Sequence, residues 1–244
     1  MILSHAKIEE IAAAVTKDFN LFFFGYGANE ERKMPQVTPI DQFASKYLRL
    51  TVSFEKLSLD GSLCGLTAYE DTEYAISENG VVRTIPLRKN QVLLDSSFIT
   101  PGNVKKLCGK RRFTLAHECA HQLLFQLESD EQKEVCRKQY SERRAYSLRD
   151  LKSNEDWNEW QANALGAAIL MPQQEIDLAM WRFSADRNIK NYGGWLLQRD
   201  RMAVDMMCGT FGVSKSALLI RLRHLGYLDD LPYSEYIDPL EVRK

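Results

Sequence analysis

The sequence is poor in several things. It has four histidines in 244 residues, and its five cysteines (Cys64, Cys108, Cys119, Cys136 and Cys208) form no Cys-x-x-Cys pair. An odd count at wide spacing argues against a disulfide framework, and unpaired thiols exclude a cysteine zinc knuckle. These thiols read as reduced and structural. Neither sign of charge dominates: 32 basic residues face 33 acidic ones, for a net of -1. That removes any global argument for nucleic acid or an anionic membrane and leaves only a local basic patch to look for. No apolar run is long enough to span a bilayer. The opening MILSHAKIEEIAAAV lacks the basic start and long apolar core of a secretory signal. The expectation is a soluble cytoplasmic protein. No repeat or low-complexity segment is visible. Apolar residues at 45% can fill the core of one large domain or two small ones.

Local patterns give the organisation. Ser4 is placed to cap a helix whose stripe is Ile8, Ile11, Ala12 and Val15. Residues 22–35 read as a loop, and Thr38-Pro39 as a cap followed by proline, with a short helix through Phe43 and Tyr47. Strands follow: Leu50, Val52 and Phe54 alternate with polar residues, while Tyr74–Ile76 and Val81–Ile85 flank the turn pair Asn79-Gly80. Pro86 suggests a strand end or edge, and Val92–Leu94 a further strand. Thr100-Pro101 repeats the cap signal, and beyond it the chain reads as mainly helical. Residues 128–157 are charged and short of large apolar groups, which suggests a solvated insertion. A second clear helix spans about 154–171, with Ser153 as its cap and Pro172 after its end. Strands in the first half and helices in the second give an α+β fold: a small mixed or antiparallel sheet packed on a helical core.

Half of the scarce histidines stand together. In RFTLAHECAHQLLF, residues 112–125, His117 and His121 are four apart with Glu118 directly after the first. On a helix, positions four apart lie about 40° apart around the axis and one turn above each other. Both imidazoles can therefore reach one ion, and Glu118, about 100° around, lies beside it. A hydrolytic zinc needs this arrangement: two imidazoles on the metal and a carboxylate next to the reacting water. Shuffling this composition yields His-Glu-x-x-His only about 0.004 times per sequence.

The third ligand is the open question. Leu124 and Leu127 stand where the metzincin pattern has its glycine and its third histidine, and His5 and His224 are remote. A carboxylate on a second helix is the other solution. In NEDWNEWQANALGAAILMP, Glu159 and Asn163 share a face, and Gly166, Ala167 and Leu170 continue nearly the same direction. Small residues there would let this helix approach the histidine helix closely. Glu159 could then reach the ion, and Asn163 could hydrogen-bond a ligand histidine and fix its tautomer. Glu155, one turn earlier, is the weaker competitor.

The two blocks RRFTLAHECAH and EWQANALGAAILMP together resemble the ImmA/IrrE family of bacterial and phage metallopeptidases, which typically read RFTLAHELGH and then ExxANxFAxxLLMP. The match runs without gaps from Arg112 to His121 and from Glu159 to Pro172, with weaker similarity at Gly65–Tyr69 and in FGVSKSALLIRLRHLG. Cys119 and Ala120 replace Leu and Gly on the helix side away from the ligands, Leu165 and Gly166 replace Phe and Ala, and Gln161 takes the place of a common glutamate. The resemblance implies a zincin-like endopeptidase holding Zn²⁺ with His117, His121 and Glu159, and using Glu118 as general base. It also implies a helix-turn-helix repressor of the Xre type, or an antitoxin partner, as substrate. The substrate is expected to lie as an extended strand along a sheet edge near the His-Glu-x-x-His helix, with Val92–Asp95 or Val81–Ile85 as the candidate edge.

Residues 201–228 read as two helices around Phe211-Gly212-Val213, with Ser214 capping the second and Lys215, Arg221 and Arg223 giving it positive bias. A DNA-binding or repressor-binding regulator with a structural zinc is the rival reading. Three cations are few for phosphate binding, and Leu218, Leu219, Leu222 and Leu225 look like a packing surface. The expected division is a metallopeptidase domain over 1–199 and, over 200–244, helix-turn-helix-like helices with an acidic tail, packed on the core.

Overall fold

The computed structural model describes residues 2–25, 32–58, 61–78, 81–131, 133–134 and 154–237. Helix α1 (His5–Phe24) starts at Ser4, whose hydroxyl accepts from the Lys7 N–H, and ends at Gly25 with φ 74°. It buries Ile8, Ala12 and Phe19 and runs three residues, Phe22 to Phe24, into the stretch expected to be loop from Phe22. A short helix α2 (Ile40–Gln42) passes into a wider turn over Phe43–Tyr47. Thr38 does not cap it. Its hydroxyl donates instead to the Ile169 carbonyl at 2.7 Å, a tertiary bond invisible to local pattern.

Five strands follow: β1 (Thr51–Glu55), β2 (Gly65–Ala68), β3 (Thr72–Glu78), β4 (Val81–Leu87) and β5 (Gln91–Asp95). They form two sheets. One is ordered β1-β5-β2, with β5 parallel to β1 and antiparallel to β2; the other is the β3–β4 hairpin. The turn residues Asn79-Gly80 lie outside the described residues. β5 is therefore the central strand of its sheet, with Val92, Leu93 and Leu94 buried. Gly102, not Thr100, precedes the short helix α3 (Asn103–Lys106); Thr100 donates back to Ser96 O at 3.1 Å.

Helix α4 (Cys108–Leu127) is packed between β2 and helix α5 (Asn154–Leu170). Most of the charged insertion and its Ser153 cap lie outside the described residues. Helices α6 (Gln173–Ser184), α7 (Gln198–Phe211) and α8 (Lys215–His224) complete the helical layer. The second half is not purely helical. It carries a further sheet, β7-β6-β8, built from β6 (Ile189–Tyr192), β7 (Trp195–Leu196) and β8 (Leu228–Leu231). The architecture is α+β.

One core runs through α1, β5, α4, α5, α7 and α8, with Phe19, Leu115, Leu165, Ile169, Phe211 and Leu218 fully buried. Arg221 of α8 ties three elements together: its guanidinium pairs with Glu9 of α1 and donates from Nε to the Met171 carbonyl at 3.0 Å. Among the described residues, no single helix is long and apolar enough to cross a membrane.

Candidate metal centre

The site is built where α4 meets α5. Close approach is allowed by Gly166: a Cβ there would lie 3.0 Å from the His117 backbone nitrogen and 3.1 Å from the Ala116 carbonyl carbon. Cys119 and Ala120 are fully buried on α4, which leaves His117 and His121 on the side facing α5.

Three side chains converge. The Nε2 atoms of His117 and His121 stand 3.0 Å apart, and Glu159 places Oε2 3.1 Å from the first and Oε1 3.3 Å from the second. One donor atom from each residue falls within 4.8 Å of the others. Asn163, one turn beyond Glu159, puts Oδ1 3.0 Å from His117 Nδ1. With that oxygen accepting, the proton of His117 sits on Nδ1 and the Nε2 lone pair faces the cluster. The side chain of Glu155 lies outside the described residues. His5 and His224 pack edge-on against each other with ring centroids 5.0 Å apart, and they take no part in the cluster.

The electrostatics are those of a cation site. Burial favours neutral His117, but the hydrogen bond to Glu159 and the nearby Glu118 carboxylate outweigh it and raise its pKa above the ordinary value. Burial also pushes the Glu159 carboxyl upward, yet its bonds to both imidazoles hold it well below the usual carboxylate range. The cluster attracts positive charge, and a metal ion can take the place of the protons. Two imidazoles and a carboxylate fit a borderline-soft divalent ion.

Glu118 is buried at 4% exposure on the β2 side of α4. Strand β2 is held there by Gln122, whose amide donates to Thr67 Oγ1 at 2.6 Å and to the Ala68 carbonyl at 3.0 Å. The edge expectation is therefore corrected. Val92–Asp95 lies mid-sheet between β1 and β2, and Val81–Ile85 belongs to the separate hairpin; the edge strand against α4 is β2. The only signal for it in the sequence was the short Gly65–Tyr69 segment, which has no alternation because Leu66, Thr67 and Ala68 are all buried.

Helices α7 and α8 meet at 103°, within the range of a helix-turn-helix, through Gly212 at φ 62°, and the Ser214 hydroxyl caps α8 by accepting from the Ala217 N–H. Two of the three cations of α8 are engaged: Arg221 is buried against Glu9, and Arg223 makes a bidentate pair with Asp230 at 2.6 and 2.8 Å. Leu218 and Leu222 are fully buried.

No curated protein matches the chain. Residues 108–223, which carry both site helices, match the model of the IrrE N-terminal-like domain, Peptidase_M78, and this match supports a metallopeptidase of the ImmA/IrrE kind.

Proposed function

We propose that the chain is a zinc-dependent endopeptidase in which His117, His121 and Glu159 hold the metal and Glu118 is the general base. The observation that carries this reading is the convergence of three donor atoms within 4.8 Å, with a buried carboxylate on the next helical position. Three protein ligands are the number a catalytic zinc uses, whereas structural sites close with four. When bound, the ion supplies Lewis acidity, which acidifies a water and draws charge off the scissile carbonyl. Glu118 takes the proton from the attacking water and returns it to the leaving amine. Asn163 keeps the proton of His117 on Nδ1. An extended substrate segment would lie along β2, which has a strand neighbour on one side only among the described residues.

The proposed substrate is a helix-turn-helix repressor or an antitoxin partner, which rests on the family resemblance alone. The rival, a DNA-reading regulator, is disfavoured by the committed cations of α8.

The test measures bound metal by elemental analysis and cleavage of a denatured protein such as casein, and of the product of a neighbouring repressor gene. Glu118→Gln is expected to keep one zinc and lose about 10²- to 10⁴-fold in rate. A variant that keeps its zinc and cleaves at the wild-type rate would sink the assignment. A low-salt DNA shift is expected to show no binding.

A further inference from the structure

We infer that Gly65 is a positioning residue: the missing side chain at Gly65 seats the Glu118 carboxylate against the β2 edge. The inference rests on Glu118 acting as the base.

Gly65 opens β2 and pairs with Leu94 of β5. It is not among the residues of positive φ, so its backbone suits any L-residue, and the requirement there is for space. A Cβ built at Gly65 would lie 2.6 Å from Thr114 Cγ2, 2.9 Å from Glu118 Oε1 and 3.2 Å from Glu118 Cγ. Both carbon distances fall inside the contact minimum of about 3.5–4.0 Å between carbons, and the 2.9 Å to the Glu118 oxygen is closer than real Cβ atoms come.

What yields decides the consequence. The strand is fixed on one side by the ladder to β5 and on the other by Gln122, which grips Thr67 and Ala68. Thr114 is fixed by its own hydroxyl, which donates to the Lys110 carbonyl at 3.0 Å. The Glu118 carboxylate is the far end of a flexible side chain. It moves first, and one methyl group at position 65 displaces the base while leaving His117, His121 and Glu159 untouched. Gly65 thereby couples the substrate edge to the general base: the strand can lie this close to α4 because position 65 carries no Cβ to meet Thr114 and the Glu118 carboxylate.

The experiment compares wild type, Gly65→Ala, Thr114→Ser, Gly65→Ala/Thr114→Ser and Glu118→Gln in the zinc-loaded full chain. Crystal structures of the wild type and Gly65→Ala read the carboxylate directly. Gly65→Ala is expected to bind one zinc with affinity within about twofold of wild type, to shift the Glu118 carboxylate by an ångström or more, and to lower kcat on casein at least tenfold with KM nearly unchanged. Thr114→Ser should behave as wild type. The double variant loses the 2.6 Å contact. It therefore carries the test if Gly65→Ala does not fold, and its kcat should stay low. An unmoved Glu118 in Gly65→Ala, or full recovery in the double variant, overturns the role of Gly65. A fully active Glu118→Gln instead removes the base assignment on which it rests.

Discussion

At the residue scale, the site was legible wherever spacing along one helix settles geometry. His117 and His121 had to share a face, and so did Glu159 and Asn163. That the two faces meet was legible only through the paired motif, because 38 residues separate His121 from Glu159. Gly65 against Glu118 was not legible, since nothing local signals which strand a helix will touch. The Asn163 contact carries a prediction. Its oxygen is 3.0 Å from His117 Nδ1, and outer groups that orient a ligand histidine are typically worth 10- to 100-fold in metal affinity. Asn163→Ala should weaken zinc binding by about that factor in a chelator competition, and Asn163→Asp should restore it. Equal affinity in all three proteins would reduce Asn163 to a surface residue. Asp95 offers a second test, in the fold. Burial raises its carboxyl, but the Ser97 and Leu57 bonds prevail and leave it below the ordinary value. A lowered folded pKa gives stability that is fully present above about pH 4, the unfolded value, and is lost as pH falls through the folded value. Asp95→Asn should cost about 1–2 kcal/mol in denaturant unfolding at pH 7, and the gap to wild type should narrow below pH 4. A pH-independent gap would mean that charge plays no part.

At the scale of elements, helices with a cap and a stripe were readable: Ser4 and Ser214 cap α1 and α8 as their local sequence suggests. Short strands were not. β2 is four residues without alternation, and β7 is two. β8 reads Leu-Asp-Asp-Leu, which looks like the start of an acidic tail until it pairs in parallel with β6, some forty residues earlier. The element contact that matters most for the site is α4 on α5. At Gly166 the obstacles to a Cβ are backbone atoms at 3.0 and 3.1 Å, which cannot swing aside. Gly166→Ala should therefore push the helices apart, costing about 1–3 kcal/mol, and should weaken zinc binding as well. The contrast with Gly65→Ala is the useful control: on the proposed assignment one glycine guards the spacing of the ligands and the other the position of the base. Unchanged stability and metal affinity in Gly166→Ala would show that the helices have slack.

For the molecule as a whole, the C-terminal pair of helices packs into the same core as the site helices. Arg221 joins α8 to α1 and to the end of α5, and Leu218 and Leu222 lie in the same core as Leu165 and Ile169. The proposed metal ligands come from α4 and α5, which meet only in the folded chain, so an ion held by them would bind the native state and hardly the unfolded one. Binding that selects the native state stabilises it by RT ln(1 + [L]/Kd), about 4 kcal/mol at a thousandfold excess over Kd. Removing zinc with a chelator should lower the midpoint of thermal unfolding by several degrees, and adding zinc back should restore it. Because the cluster is tied into the shared core, the α7–α8 pair should unfold in the same transition as α4 and α5, with and without metal. Two separate transitions, with only the earlier one sensitive to the chelator, would show that the C-terminal helices are a unit of their own. A melting curve indifferent to chelator would remove the metal from His117, His121 and Glu159 altogether.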